Sequence, residues 1–198
     1  MADPVPPFDP GEEGPGPKEA DSPGRRRART ALEWVAVVLG SLAVAVLVRS
    51  FLLETFFIPS PSMVPTLAVN DRVLVNKLSY RLHDVNRGDL VVFERPPDAS
   101  GGAARDLIKR VIALEGETIE GRDGRVVVDG EPLDEPYLEP GEETTGFEPL
   151  RVPPDHVFLM GDNRDASRDS RVFGPMAEDA IVGRAFLRVW PPGDVSFL

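Results

Sequence analysis

The run Asp106-Leu107-Ile108-Lys109-Arg110-Val111-Ile112-Ala113-Leu114 decides the fold. It is short and aliphatic, with two adjacent cations in its middle. Strand alternation puts Leu107, Lys109 and Val111 on one face and Ile108, Arg110 and Ile112 on the other. One of the two cations is therefore expected to point toward the core that the strand borders. Similar runs surround it at Arg72–Asn76, Leu90–Glu94, Thr118–Glu120, Arg125–Val128, His156–Met160 and Ile181–Val189, separated by Gly, Pro and Asp. Asp123-Gly124 and Asp129-Gly130 have the chemistry of hairpin turns that need positive φ. Arg95–Asp106 and Glu139–Pro149 read as loops. The chain shows no internal repeat and no second amphipathic helix, so residues 54–198 are expected to form an all-β domain.

The 198-residue chain has two further zones upstream. Residues 1–24 hold seven Pro, four Gly and six acids, too little apolar matter to offset the entropy of ordering. Arg25-Arg26-Arg27-Ala28-Arg29 follows, and then fifteen uncharged residues from Trp34 to Val48. Adding the apolar flanks brings that stretch to about 23 residues, enough for a hydrocarbon core of roughly 30 Å. Arg49, near its far end, can extend toward headgroups. A cleaved secretory signal would need a small-x-small site, yet the exit reads RSFLLETFFIPS. A soluble helix would show a polar face, which residues 34–48 lack. The reading is a single membrane anchor at 31–53, between a cytoplasmic tail at 1–30 and an extracytoplasmic domain at 54–198.

Composition removes several classes of function. Acids exceed bases 33 to 22, for a net charge of −11, and no basic face for nucleic acid is evident. The absence of Cys excludes disulfides, thiol nucleophiles and thiolate metal sites. With only His83 and His156, no His-rich metal centre can be built, and no metal or other cofactor is expected. Neither histidine has a partner pattern. Nucleophile-elbow, zincin, phosphate-loop and dinucleotide signatures are all missing.

What remains is a rigid polar segment after the apolar stretch, Ile58-Pro59-Ser60-Pro61-Ser62-Met63-Val64-Pro65-Thr66-Leu67. Three prolines fix φ around its two serines, which suits either a positioned nucleophile or a stalk. A serine nucleophile needs a base, and outside the tail the lysines are Lys77 and Lys109. At an ordinary pKa of about 10.4, roughly one amine in 2,500 is neutral at pH 7. Burial of Lys109 can lower that pKa by several units, unless the side chain reaches solvent at an edge. A third polar knot, Gly161 to Arg171, packs Asp162, Asn163, Asp165, Asp169, three Arg and two Ser together. It reads as a charge-assisted network or a solvated loop. Its arginines disfavour calcium.

Taken together these segments resemble type I signal peptidase. The resemblance runs from Leu32 to Pro191 and rests on IPSPSMVPTL (58–67), DRVLVNK (71–77), LIKRVIALEGE (107–117) and GDNRDASRDSRVFGP (161–175), with GRVVVDGEPLDEPYL (124–138) also matching. It implies an all-β catalytic domain with one N-terminal transmembrane helix, in the cytoplasmic membrane. It also implies a Ser–Lys dyad, with Ser62 as nucleophile and Lys109 as general base. The Ser62 N–H and Ser60 hydroxyl would hold the oxyanion, and Ser167 would hydrogen-bond the lysine amine. Asp169 and Arg171 would brace the site as an ion pair, supported by Asp162, Asn163 and Arg164. Ile58, Met63, Leu67 and Ile108 would line shallow pockets that admit small side chains, giving cleavage after Ala-x-Ala sequences. The implied partners are precursors bearing signal peptides, membrane lipid and a nearby secretion translocon. Pro61 stands where the family frequently has Gly, and the N–H it removes is not the expected oxyanion donor. A self-cleaving Ser–Lys peptidase and an inactive tethered β domain are the competing readings. The first normally carries a DNA-binding helical unit that this chain lacks, and the second has no use for Ser62 and Lys109.

Overall fold

A computed structural model describes residues 23–96 and 105–198, with the backbone alone at 23–31 and 47–51. Two units separate, one ending at Ala45 and the other spanning Val46–Leu198. The expected tail thus lies largely outside the described residues, as do the side chains of the arginine cluster and most of the Arg95–Asp106 loop.

Helix α1 runs from Pro23 to Phe51, 29 residues, with proline at a first-turn position where its missing N–H leaves no bond unmade. Every side chain from Leu32 to Ala45 is exposed, on all sides of the helix. Among the described residues no helix is long and apolar enough to cross a membrane. The helix stops at Phe51, and Leu53 opens a strand.

The second unit is built on an eight-stranded antiparallel sheet. Its strands are β1 (Leu53–Phe57), β2 (Arg72–Asn76), β3 (Leu90–Glu94), β4 (Asp106–Ala113), β9 (His156–Met160), β10 (Met176–Ala177), β11 (Ile181–Trp190) and β12 (Ser196–Phe197). They lie in the order β1-β2-β11-β3-β4-β9-β10, with β12 on the flank of β11. A smaller sheet takes β5 (Thr118–Arg122), β6 (Arg125–Val128), β7 (Glu131–Pro132) and β8 (Phe147–Arg151) in the order β7-β6-β5-β8. Two four-residue helices complete the unit, α2 (Ser79–Leu82) and α3 (Ser170–Phe173).

Strand β3 explains why the larger sheet is buried on both faces. Leu-Val-Val-Phe is continuously apolar, and alternation divides it between two cores. Leu90 and Val92 pack with Ile58, Met63, Leu67, Val73 and Val75. Val91 and Phe93 pack with Val111, Val157 and Leu159 on the other side. The smaller sheet closes a third cluster, in which Ile119, Val126 and Val128 meet Ile112 and Phe158. The two hairpin turns form as expected, with positive φ at Asp123, Gly124, Asp129 and Gly130.

Strands β1, β7, β8, β10 and β12 were not expected from the sequence; three of them are two residues long, and the two longer ones were hidden for physical reasons. β1 follows the apolar helix directly, so its own pattern merges with that segment. β8 contains Pro149 and occupies part of the stretch read as a loop. It lies at the edge of the small sheet, where a missing N–H is tolerated. Phe93 has no exposed surface. Phe93→Ala is expected to lower unfolding free energy by about 3–5 kcal/mol, measured by urea denaturation of the solubilised chain.

Candidate active site

Strands β1 and β2 continue past their ends and deliver the polar segment to a fixed place. The Ile58 N–H donates to the Asp71 carbonyl at 2.9 Å, and the Asn70 N–H donates to the Ile58 carbonyl at 2.9 Å. After Pro59 and Ser60 the chain forms a single 3₁₀ turn over Pro61–Met63. It continues through a Leu67 N–H bond to the Met63 carbonyl at 2.8 Å. Met63 and Leu67 have no exposed surface and root this turn in the core. Ser62 rides between these roots with 6% of its surface exposed.

Lys109 comes from the middle of β4, and its Nζ lies 2.7 Å from Ser62 Oγ. The amine also reaches the Ile108 carbonyl at 3.0 Å. Ser60 Oγ stands 3.3 Å from Ser62 Oγ. The nucleophile turn and the strand lysine are 47 residues apart in sequence, and only the curl of the sheet brings them together. Both cations of β4 are buried, Lys109 at 4% and Arg110 at 9% exposure. Expecting one of them inside undercounted.

Gly161 opens the third segment. A Cβ there would collide with the Ser62 carbonyl and the Ser167 side chain, so glycine permits the close approach. The neighbouring Asn163 N–H then donates to the Ser62 carbonyl at 3.1 Å. Asp162 receives Arg110 in two parallel bonds, Nε at 2.8 Å and Nη2 at 2.6 Å. Asp169 receives Arg171 Nε at 2.8 Å and Nη2 at 2.9 Å, and also takes the Gly161 N–H at 3.0 Å. Arg164 is fully buried and clamps Glu135 and Thr144. The expected supporting residues thus form one connected network.

Two expectations need correction. Ser167 does not hydrogen-bond the lysine amine here: its Oγ is buried and has no partner, while the amine is engaged by Ser62 and Ile108. Met63 and Leu67 do not line the cleft, because they are consumed as the roots of the turn. Ile58 and Ile108 do line it. The cleft has a volume of about 420 Å³ and is walled by Phe57, Ile58, Ser60 and Ser62 on one side and Leu107 to Lys109 on the other. Along β4, residues Asp106–Lys109 pair with β3 alone, since β9 joins only from Arg110 onward. Among the described residues no strand pairs with the other edge of β4 at Asp106–Lys109, where the Ile108 carbonyl takes the Lys109 amine, an edge that suits an extended peptide added as a strand.

The sequence reading missed several members of the network. Arg110 lies face-on to the Tyr137 ring at 3.9 Å, and the Tyr137 hydroxyl donates to Glu135 at 2.7 Å. Thr66 Oγ1 donates to Asp162 at 2.5 Å. Arg110 carried a signal, as a cation in an apolar strand. Glu135, Thr144 and Thr66 carried none, because each acts through a partner distant in sequence.

Burial lowers the Lys109 pKa from its ordinary 10.5 to about 8, against the pull of the Asp169 and Asp162 carboxylates, with help from Arg95. Arg171 and Arg110 each hold one of those carboxylates, which blunts their hold on the lysine proton. At pH 7 about one amine in ten is then neutral. Among the described residues no group of three or more His, Cys, Asp or Glu is arranged to hold a metal ion.

A hydroxyl and a partly neutral amine thus lie at bonding distance beside an apolar, strand-edged cleft. The chain belongs to the signal peptidase family, peptidase S26, which matches it over residues 31–190. Signal peptidase I of Leptolyngbya laminosa is 38% identical over 193 residues, covering 95% of this chain and 90% of that protein. Probable signal peptidase I-1 of Synechocystis sp. is 43% identical over 164 residues, covering 80% of this chain and 82% of its own. Signal peptidase I of Mycobacterium tuberculosis is 33% identical over 227 residues, with 88% and 77% covered.

A lysine whose folded pKa lies below its unfolded value binds fewer protons in the native state between the two values. Stability therefore rises with pH across that window. Displacement from 10.5 to about 8 corresponds to about 3 kcal/mol of burial penalty, present below pH 8. Lys109→Met removes the charge and so the penalty. Its stability advantage over the parent is expected to be largest below pH 8 and to shrink toward pH 10.5. Urea midpoints of both chains across that pH range check this.

Proposed function

We propose that the chain is a membrane-anchored serine endopeptidase that removes N-terminal signal peptides from exported precursors after small-x-small sites. Neutral Lys109 takes the Ser62 proton as Oγ bonds to the scissile carbonyl carbon. The resulting oxyanion is met by the Ser62 N–H and the Ser60 hydroxyl. Ser62 lies in the first turn of its 3₁₀ segment, where N–H groups have no intrahelical acceptor, so its donor is available. The Lys109 ammonium returns its proton to the leaving amine, and the C–N bond breaks to leave an acyl ester on Ser62. Lys109 then draws a proton from water, whose oxygen attacks the ester, and the ammonium returns that proton to Ser62 Oγ as the ester C–O bond breaks and the acid product leaves.

The observation that carries this reading is the 2.7 Å approach of Lys109 Nζ to Ser62 Oγ. Family membership supports the substrate class, and the apolar cleft walls of Ile58 and Ile108 support a preference for small apolar side chains. The apolar segment supports an anchor at 31–53 between a tail at 1–30 and the catalytic domain at 54–198. Its helix reaches Phe51, about 31 Å of rise from residue 31 at 1.5 Å per residue. The four arginines upstream support a cytoplasmic N-terminus and an extracytoplasmic domain, in contact with lipid and near the secretion translocon.

Ser62→Ala and Lys109→Ala are each expected to abolish processing of a precursor whose signal peptide ends in Ala-x-Ala, with the circular dichroism of the parent retained. Normal processing by either variant removes the dyad. In the parent, kcat/KM is expected to rise with pH through a limb near 8, because proton loss from Lys109 creates the base.

A further inference from the structure

We propose that Thr66 is a positioning residue for the reaction, acting as the joint that locks the nucleophile turn, the base strand and the Gly161 loop into one geometry. This rests on the peptidase reading above. Thr66 lies four residues beyond Ser62, on the same hydrogen-bonded turn. Its Oγ1 donates to Asp162 Oδ2 at 2.5 Å and accepts from Arg110 Nη2 at 3.2 Å. Arg110 is the residue after Lys109, and Asp162 precedes Asn163, whose N–H holds the Ser62 carbonyl. Three chain segments thus meet at one hydroxyl, and they are the segments that carry Ser62, Lys109 and Ser167.

The chemistry of the joint demands a hydroxyl. A side chain that gives a proton to a carboxylate while accepting one from a guanidinium needs a donor and an acceptor on a single atom. Valine has the shape of threonine and neither function, whereas serine keeps both. The arrangement also grips the turn at two points from adjacent residues of one loop, Thr66 through Asp162 and Ser62 through Asn163. Releasing the first leaves Ser62 held at one end of its turn, free to drift relative to Lys109. Displacements of about 1 Å at reacting atoms cost on the order of 10²-fold in rate, so partial loosening matters without unfolding. The core roots Met63 and Leu67 remain in place, and the cleft walls do not include Thr66. Substrate binding is therefore expected to survive.

The test uses the full chain in detergent with a precursor peptide that carries an internal Ala-x-Ala site followed by further residues. Thr66→Val is expected to lower kcat about tenfold while KM stays within twofold, and Thr66→Ser to restore most of the loss. Thermal melts of both variants separate positioning from folding. Parental kcat in Thr66→Val overturns the proposal, as does a kcat loss that serine does not rescue or that tracks a lowered melting temperature. A parent chain that cleaves no such precursor defeats the peptidase reading instead, and that outcome is read before either variant is made.

Discussion

The structure depends on keeping water away from one amine. Lys109 sits mid-strand in a sheet buried on both faces, and its Nζ meets the Ser62 hydroxyl, a neighbouring carbonyl and apolar surroundings. In that setting the charged form loses hydration without full compensation, which lowers the pKa to about 8. Two carboxylates pull the other way but less strongly than burial, and each is held by an arginine: Asp169 by Arg171, Asp162 by Arg110. The ion pairs thus do two things at once. They stiffen the loop beside the nucleophile, and they occupy the negative charge that would otherwise keep Lys109 protonated.

Such a network carries risk as well as benefit. Buried pairs add little net stability over apolar packing, but removing one partner strands a charge and costs about 3–5 kcal/mol. The chain accepts that exposure at three connected pairs, Arg110–Asp162, Arg171–Asp169 and Arg164–Glu135. Specific geometry is the return. Glu135 belongs to the connection leaving the small sheet, so Arg164 couples that sheet to the Gly161 loop, and the Tyr137 ring under Arg110 adds a second coupling. The small sheet thereby braces the active-site loop.

Much of this was legible in the residues. Short apolar runs bounded by Gly, Pro and Asp located β2, β3, β6 and β9 to the residue, and Asp-Gly pairs marked two hairpin turns because positive φ is chemically restricted. The dyad emerged partly by elimination, with no cysteine and no usable histidine, and partly from the resemblance of four sequence blocks. Edge strands escaped notice: β8 tolerates a proline that reads as a loop, and β1 abuts an apolar helix that masks its start. Roles that depend on long-range pairing were invisible. Thr66, Glu135 and Thr144 have unremarkable local settings, and only the fold supplies their partners. Met63 and Leu67 show the converse, since their apolar character suited both a pocket wall and a buried root, and burial decided between them.

The central claim is that the Lys109 amine gives up its proton near neutrality because the fold dehydrates it. Lysine-specific ¹³C labelling of the solubilised chain, with Lys109→Met to assign the resonance, allows the amine to be titrated directly by NMR. The account predicts a midpoint near pH 8 for Lys109. A Lys109 midpoint at or above about 10.4, the value of a hydrated lysine, would contradict it.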